Sequence, residues 1–406
     1  MLRSFIFLQG HVGPFFRILG RRLISEGHRV VRINFNGGDV FDWPGPETVV
    51  LRNKAKEWPN YLLELIQNNE ATDLVTYGDC RPQLRAATKL ARTAGVRCHV
   101  FEMGYIRPDF ITLEDYGVNG NSLLPSQPEW YTDLARRLPA DAPVKPARYS
   151  MDSLIRHSVA YNLAKFAAQP FFCRFRNHRP YGERTAVRCW TLKILQRRRQ
   201  LLHDRHFQKE FLSSGKKFFL FCLQLGSDYQ IRFHSPFGDM KTAIAFVLTS
   251  FSRNLPAEGD LLVKCHPEEL FPLELERFTR QLAQGLGIED RIHFTTGGNL
   301  DDYIVASQGM VTVNSTAAMA SLDHNRPTIA MGKAVYRIPG LIHGDLDSFW
   351  NDPVPPDDNL YRAFRKVLIH KTLINGNFFT EEGIDLAVPK AVKRLTGNGE
   401  SISSPI

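Results

Sequence analysis

Apolar runs alternate with helix-type patterns along the first third of the chain. Buried strands are predicted at RSFIFLQG, HRVVRINF, ATDLVTYGD and VRCHVFE. The segments between them, such as PFFRILGRRLISEG and RPQLRAATKLARTAG, carry apolar residues at helical spacing and end in glycine. Because strands separated by helices of this length form βαβ units, the pattern predicts a parallel sheet covered by helices.

A second alternating series begins at KKFFLFCLQL and ends at PTIAMGK, with strand patterns at DLLVKCHP, IHFTTGG and MVTVNST. We therefore predict an α/β protein with two Rossmann-like domains and a ligand cleft between them. The predicted parts are an N-terminal domain at 1–150, a basic helical connecting segment at 151–215, a C-terminal domain at 216–385 and a tail at 386–406.

Composition narrows the class of protein. The 406 residues are 43% hydrophobic, which suffices for two packed cores. No run of about 18 apolar residues occurs, so no membrane span is predicted. The brief apolar N-terminus is interpreted as a first strand rather than a signal peptide. Six cysteines without C-x-x-C spacing predict neither a zinc site nor a disulfide framework, and favour reduced cytosolic thiols.

Polar, glycine-bearing loops follow each strand of the first series. Gly10 and Gly13 either let backbone N–H groups approach an anion or form a plain βα turn. INFNGGD follows the next strand, and TYGDCRPQ contains Asp79, whose ordinary role would be a helix N-cap. Since the carboxyl ends of parallel strands share one sheet edge, these loops and FEMGYIRP are expected to lie together. The predicted substrate-binding residues of this edge are Gln9, Gly10, Asn36 and Asp39.

Two strand ends of the second series carry candidate phosphate ligands. VKCHPEE places His266 after a buried strand, either as an ordinary surface histidine or as a hydrogen-bond donor and proton carrier. VTVNSTAAMA places Asn314, Ser315 and Thr316 before a small-residue helix, where hydroxyls either cap the helix or bind phosphate. The two motifs together are more specific than either alone.

The net charge of +9 favours an anionic partner: nucleic acid, nucleotide, acidic lipid or phosphorylated sugar. Residues 174–199 contribute nine Lys and Arg against one acid, Glu183, with apolar residues interleaved. This segment is a solvated charged face, a nucleic-acid patch without a recognisable module, or an amphipathic surface for acidic lipid. The candidate lipid-facing residues are Arg197, Arg198 and Arg199.

The motifs FLQGHVGPFFRILGRRL, VVRINFNGGD, TYGDCRPQ, FEMGYIRPDFITLE, KCHPEE and VNSTAAMASL together resemble the capsule polysaccharide synthesis and export proteins of the KpsS/LipB type. The resemblance runs from residue 4 to the region of residue 380. It implies a retaining β-Kdo glycosyltransferase of GT-B shape, moving Kdo from CMP-Kdo to a (lyso)phosphatidylglycerol-type lipid. Such an enzyme starts the poly-Kdo linker for capsular polysaccharide. It acts peripherally on the cytoplasmic face of the Gram-negative inner membrane with other capsule-assembly proteins, and no nucleic acid is expected.

The resemblance also implies site roles, with no metal or other cofactor. His266, Ser315 and Thr316, with Lys264 as a weaker candidate, would stabilise the leaving phosphate. Retention by double displacement needs a carboxylate nucleophile.

Related β-Kdo transferases carry this nucleophile immediately before the glycine of the FEMGYIRP loop, where this chain has Met103. Glu102 is then the leading catalytic carboxylate and Asp79 the next. Strand alternation would point Glu102 away from the side of Met103, although a turn would relax that rule. Arg107 would clamp the Kdo carboxylate. Because Met103 cannot be a nucleophile, a nonenzymatic capsule-assembly or export factor with a degenerate GT-B fold stays as the alternative.

Overall fold

The computed structural model describes residues 2–51, 57–148, 150–172, 183–226 and 229–397; for 151, 183–187, 190–192 and 194–198 only the backbone is described. The chain divides into two compact units. The first unit comprises Met1–Leu124, Arg137–His178 and Arg365–Ile406, and the second comprises Pro125–Arg136 and Arg179–Phe364.

The first unit contains a seven-stranded sheet in the order β12-β6-β5-β4-β1-β2-β3. Its strands are β1 (Ser4–Phe7), β2 (Arg29–Asn34), β3 (Thr48–Val50), β4 (Asp73–Tyr77), β5 (Arg97–Met103), β6 (Phe110–Asp115) and β12 (Leu373–Asn375). β1 to β5 are parallel, whereas β6 is antiparallel to both β5 and β12. Its helices are α1 (Phe15–Ser25), α2 (Gly37–Asp42), α3 (Trp58–Asn68), α4 (Pro82–Thr93), α6 (Met151–Ala167) and α15 (Glu381–Thr396).

The second unit contains a five-stranded sheet, all parallel, in the order β11-β10-β7-β8-β9. Its strands are β7 (Phe218–Cys222), β8 (Asp260–Lys264), β9 (Ile292–Thr295), β10 (Gly309–Thr312) and β11 (Thr328–Ala330). Its helices are α7 (Glu183–Ser213), α8 (Tyr229–His234), α9 (Met240–Arg253), α10 (Pro272–Gly285), α11 (Leu300–Ala306), α12 (Ala317–Asp323) and α13 (Leu346–Phe349). Two further helices, α5 (Pro128–Arg137) and α14 (Asp358–Lys371), run across the unit boundaries.

Each sheet is buried on both faces. In β1, Phe5 and Phe7 join one apolar cluster, whereas Ile6 and the next residue after the strand, Leu8, join another on the opposite face. This explains the continuous apolar runs, because helices cover both faces of a parallel sheet. The predicted α/β class with two Rossmann-like units is confirmed.

A buried ion network fastens the amino edge of the first sheet. His99 lies between two carboxylates, with Nε2 2.8 Å from Asp73 Oδ1 and Nδ1 2.9 Å from Asp115 Oδ1. Arg3 Nε donates to the other oxygen of Asp73 at 2.7 Å. Burial alone would lower the pKa of His99, but the hydrogen bonds and charges of Asp115 and Asp73 outweigh burial and raise it. This edge is therefore held by charge pairs rather than built for a ligand.

Three sequence-based boundaries are wrong. Residues 365–385, assigned to the second domain, belong to the first unit, because β12 pairs with β6 and α15 packs on α1. The predicted tail at 386–406 is helical and packed as far as Thr396, and residues 398–406 lie outside the described part. The predicted connecting segment is split, with α6 in the first unit and α7 in the second.

Candidate functional site

The strand order of the first sheet reverses between β1 and β4, and ligands of open α/β sheets bind at the carboxyl ends flanking such a point. Gln9 and Gly10 follow β1, and Gly78 follows β4. Glu102 is the last residue but one of β5, the next strand in the sheet. The predicted loops therefore do lie along one edge.

Glu102 and Tyr77 form the centre of this edge, and both are partly exposed. The Tyr77 hydroxyl hydrogen-bonds to the Glu102 carboxylate; burial and then the charge of Glu102 raise the pKa of Tyr77 well above its usual value. Glu102 Oε1 also accepts the Met103 N–H at 2.9 Å. Gly78 adopts a left-handed φ of +69°, a conformation that favours glycine, and it lies next to the Glu102 carboxylate, since a Cβ there would be 3.4 Å from Glu102 Oε2.

Met103 lies next to Glu102 in the same strand. FEMGYIRPDF forms a β-hairpin, and Glu102 and Met103 both lie inside β5, opposite Thr112 and Ile111. Strand alternation therefore holds, and Met103 packs against the apolar cluster that contains Phe101. The side chain at the position of the family's nucleophile thus packs against the apolar core and stays partly exposed.

Two arginines bring positive charge to the edge. Arg107 is exposed, its Nε donates to Gly104 O at 3.3 Å, and its charge lowers the pKa of Tyr77. Arg81 acts on the same tyrosine, and its Nη1 donates to Gln9 Oε1 at 2.6 Å. Gln9 is thereby held at the edge beside a guanidinium.

His11 lies beside Tyr77, with ring centroids 4.9 Å apart, and stacks on Phe378 at 5.2 Å. Its Nδ1 lies 2.8 Å from the Val12 carbonyl oxygen, so Nδ1 carries the proton and Nε2 is the acceptor nitrogen. Burial among the rings, together with a smaller contribution from the charge of Arg81, lowers the pKa of His11 to about 4. His11 is therefore a neutral base at physiological pH.

Asn36 and Asp39 have structural roles that the sequence analysis did not assign to them. Asn36 Oδ1 caps α2 by accepting the N–H groups of Gly38 and Asp39. Asp39 is buried, and its Oδ1 accepts hydrogen bonds from Tyr161 of α6 at 2.9 Å and from Gln9 at 3.2 Å. The glycines of INFNGGD admit α6, because a Cβ on Gly38 would lie 2.6 Å from the Tyr161 ring. This loop is neither a plain turn nor an open ligand wall.

Gly13, in the turn after β1, does not offer its N–H to a ligand. Gly13 N donates to Asp42 Oδ2 at 2.9 Å, and burial raises the pKa of Asp42 to about 7. Gly10 is required for packing, since a Cβ there would lie 2.7 Å from the Phe16 ring. Packing and an internal carboxylate thus account for both glycines.

Asp79 is not the predicted N-cap, because the N-cap of α4 is Arg81. Asp79 is 2% exposed and accepts hydrogen bonds from the Val118 N–H, from Asn121 Nδ2 at 2.9 Å and from Cys80 Sγ. The carboxylate therefore anchors the segment after β6 and is less suited than Glu102 to attack a substrate.

Glu114 of β6 is a second buried carboxyl close to Asp79. It accepts hydrogen bonds from the hydroxyls of Tyr105 and Ser122. Burial, and then the charge of Asp79, raise its pKa to about 7.

In the second unit the strand order reverses between β7 and β10. Gln224 after β7 and Asn314 after β10 exchange two hydrogen bonds across this point, Nε2 to Oδ1 at 2.8 Å and Asn314 N–H to Gln224 Oε1 at 3.0 Å. Asn314 Nδ2 also donates to the Gln230 carbonyl. Asn314 therefore positions the strand ends, and its side chain is taken up by internal hydrogen bonds.

The other second-unit candidates line the same edge. Lys264 ends β8 and is 7% exposed; burial lowers its pKa, and Asp204 of α7 acts in the opposite direction. His266 Nδ1 accepts the Glu268 N–H, which leaves the ring proton on Nε2 as a donor. Ser315 and Thr316 are partly exposed, and Ser315 Oγ accepts the Ala317 N–H at 3.2 Å. These groups are suited to an anion.

The basic segment is only partly described. Residues 174–182 and the side chains of Arg197 and Arg198 lie outside the described part, and Arg199 is exposed on α7. The three interpretations of this segment stay predictions.

The sequence alone predicts no role for His11, Tyr77, Arg81 or Gln224. A signal was available, since each lies at or just past a predicted strand end.

Within the described residues, neither unit by itself holds a metal-binding cluster: in neither do three His, Cys, Asp or Glu side chains come within reach of one ion. The five cysteines described are free thiols, and none of the described helices is long and apolar enough to span a membrane.

Comparison with known proteins places the chain in a family. The family model for capsule polysaccharide biosynthesis proteins matches residues 72–379. The chain is 32% identical to the capsule polysaccharide export protein KpsS of Escherichia coli, over 93% of this chain and 97% of that protein. It is 31% identical to the capsule polysaccharide modification protein LipB of Neisseria meningitidis serogroup B, over 93% and 92%. Among solved structures, the β-Kdo 2,7 transferase of Thermosulfurimonas dismutans KpsC aligns with 97% of this chain and 98% of its own, at 14% identity and a TM-score of 0.46.

The family model covers most of the chain, and two relatives exceed 30% identity over nearly its whole length. The chain therefore belongs to the family of capsule polysaccharide biosynthesis proteins.

Proposed function

We propose that this protein is a retaining glycosyltransferase that moves β-Kdo from CMP-Kdo to a (lyso)phosphatidylglycerol-type lipid, starting the poly-Kdo linker of capsular polysaccharide. The observation that supports this most is the Glu102–Tyr77 pair at the sheet edge, because the charges of Arg107 and Arg81 also act on Tyr77. A carboxylate at an edge that carries two guanidiniums suits a donor with both a carboxylate and a phosphate. Membership of the capsule family supports the pathway.

The proposed chemistry is a double displacement. Glu102 attacks the anomeric carbon of Kdo, the bond to the CMP phosphate breaks, and a glycosyl ester forms. The acceptor hydroxyl then attacks the same carbon and displaces Glu102, while His11 Nε2 takes the hydroxyl proton. Two inversions give net retention. Arg107 is proposed to hold the Kdo carboxylate in both steps.

The second unit is proposed to bind the leaving CMP. The Nε2–H of His266 and the Ser315 and Thr316 hydroxyls are donors for its phosphate, and Lys264 adds positive charge. No metal or other cofactor is part of the proposal. The protein would act peripherally on the inner face of the inner membrane with other capsule-assembly proteins.

The test incubates the full chain with CMP-Kdo and lysophosphatidylglycerol, and follows CMP release and the Kdo-lipid by mass spectrometry. We expect product from the wild type, and a loss of about 100-fold or more in kcat for His11→Gln, the usual size of a general-base contribution. His324→Gln is the matched control, because His324 is exposed. Intact donor together with tight lipid binding would contradict the proposal. That result would support the noncatalytic capsule-assembly factor, which is favoured by a methionine, Met103, at the position of the family's nucleophile.

A further inference from the structure

Helix α6 is apolar on two opposite faces. One face packs on the first unit: Leu154 contacts the apolar cluster over the sheet, Tyr161 is buried, and Ala164 and Ala168 approach the backbone at Gly37. A helix that needed only this contact would present polar residues on its other side.

The other face carries a line of large apolar side chains, which we name the α6 stripe. Spacings of four, four and three residues place these side chains in one row along the helix surface. Its members are Ile155, Val159, Leu163 and Phe166, exposed by 40%, 51%, 65% and 64%. Phe171, just past the helix, is 82% exposed. Among the side chains that the structure describes, no other helix presents four large exposed apolar residues at this spacing. Single exposed apolar residues are ordinary, whereas a contiguous row marks an interaction surface.

The charge around the α6 stripe identifies its partner. Within the described stretch that holds α6, residues 142–172 contain four Lys and Arg against one acid, Asp152. Arg156 lies beside the stripe and is exposed. An apolar row with a basic surround complements a membrane surface, where acyl chains take the apolar side chains and anionic headgroups attract the basic ones.

We propose that the α6 stripe is the surface by which this protein docks on an anionic phospholipid bilayer. The same helix holds Tyr161 against Gln9 and Asp39 at the edge of the first sheet, so docking would bring that edge to the lipid. In this respect the inference rests on the proposed lipid acceptor. It also assigns membrane contact to α6 rather than to Arg197, Arg198 and Arg199.

The experiment measures cosedimentation of the full chain with phosphatidylglycerol/phosphatidylcholine vesicles, without donor. We expect the double variant Leu163→Gln/Phe166→Gln to bind about tenfold more weakly or worse, because the apolar area it inserts is removed. Leu273→Gln is the matched control, since Leu273 of α10 is 71% exposed, and its binding should stay unchanged. Equal vesicle binding by the wild type and the double variant would overturn the proposal. So would a wild type that is dimeric without vesicles and a double variant that is monomeric.

Transfer assays separate this inference from the proposed function. With a water-soluble short-chain phosphatidylglycerol, the double variant should keep wild-type turnover and lose it only with vesicle-embedded acceptor. Vesicle binding that depends on the α6 stripe, without transfer to any acceptor, would contradict the proposed function but support the docking surface. If the double variant transfers Kdo to both acceptors as well as the wild type does, the docking surface alone is contradicted.

Discussion

Glu102→Gln and Asp79→Asn separate the two carboxylates that are candidates for the nucleophile. Glu102 is partly exposed, and glutamine keeps an oxygen that can accept the Met103 N–H. The free energy of unfolding should therefore change by about 0.5 kcal/mol or less. If Glu102 forms the glycosyl ester, kcat should fall by about 10⁴-fold, which corresponds to about 5 kcal/mol in activation free energy.

Asp79→Asn should have the opposite effect, lowering stability while leaving kcat nearly unchanged. The two carboxylate oxygens of Asp79 accept three hydrogen bonds, and an asparagine must turn its NH₂ group toward one set of these donors. Losing one or two bonds to a buried charge, at about 1.5–3 kcal/mol each, lowers stability by about 2–5 kcal/mol. Protein that remains folded should keep a kcat near the wild-type value.

Urea unfolding and single-turnover CMP release on both variants provide the two readouts. A Glu102→Gln enzyme within tenfold of the wild-type kcat would refute the role of Glu102. An Asp79→Asn protein that is as stable as the wild type but inactive would transfer the role of nucleophile to Asp79.

Two further predictions concern stability. Gly38→Ala should lower the free energy of unfolding by about 1–3 kcal/mol, because the added methyl would lie 2.6 Å from the Tyr161 ring. Urea titration measures this change, and an unchanged unfolding midpoint would contradict the close packing. For His99, Asp115 and Asp73 raise the pKa in the folded protein above 6.5. The contribution of His99 to the free energy of unfolding is therefore full below pH 6.5 and is lost as the pH rises through the folded pKa. In urea titrations from about pH 6 to about pH 9, His99→Gln should remove this contribution to the pH dependence of the unfolding free energy, which is at most about 1.4 kcal/mol per pH unit.

The sequence predicted strands and helices well wherever their pattern spans only a few residues. The apolar runs at β1, β4, β5, β7 and β8 and the glycine-terminated helices lie where their spacing placed them, because periodicity and turn residues act over a few positions. The polar loops also lie on the carboxyl edges as predicted, since parallel pairing follows from βα alternation.

Side-chain roles at the site were less predictable. Asn36, Asp39 and Asn314 looked like substrate ligands, but each is engaged in internal hydrogen bonds to groups far away in sequence. His11 gains its role only beside Tyr77 and Phe378, which approach it from distant segments. A polar residue at a strand end has the same appearance in sequence whether it faces a ligand or a neighbouring helix.

The sequence by itself determined the alternation of strands and helices, the two sheets and the edges at which chemistry is expected. Tertiary structure alone decided that β12 returns to pair with β6, some 260 residues away, and that Met103 packs against an apolar cluster. It also decided that α6 buries one apolar face and exposes the other. The physical reason is that local spacing reports which side chains share a face. What covers that face depends on contacts between segments that are remote along the chain.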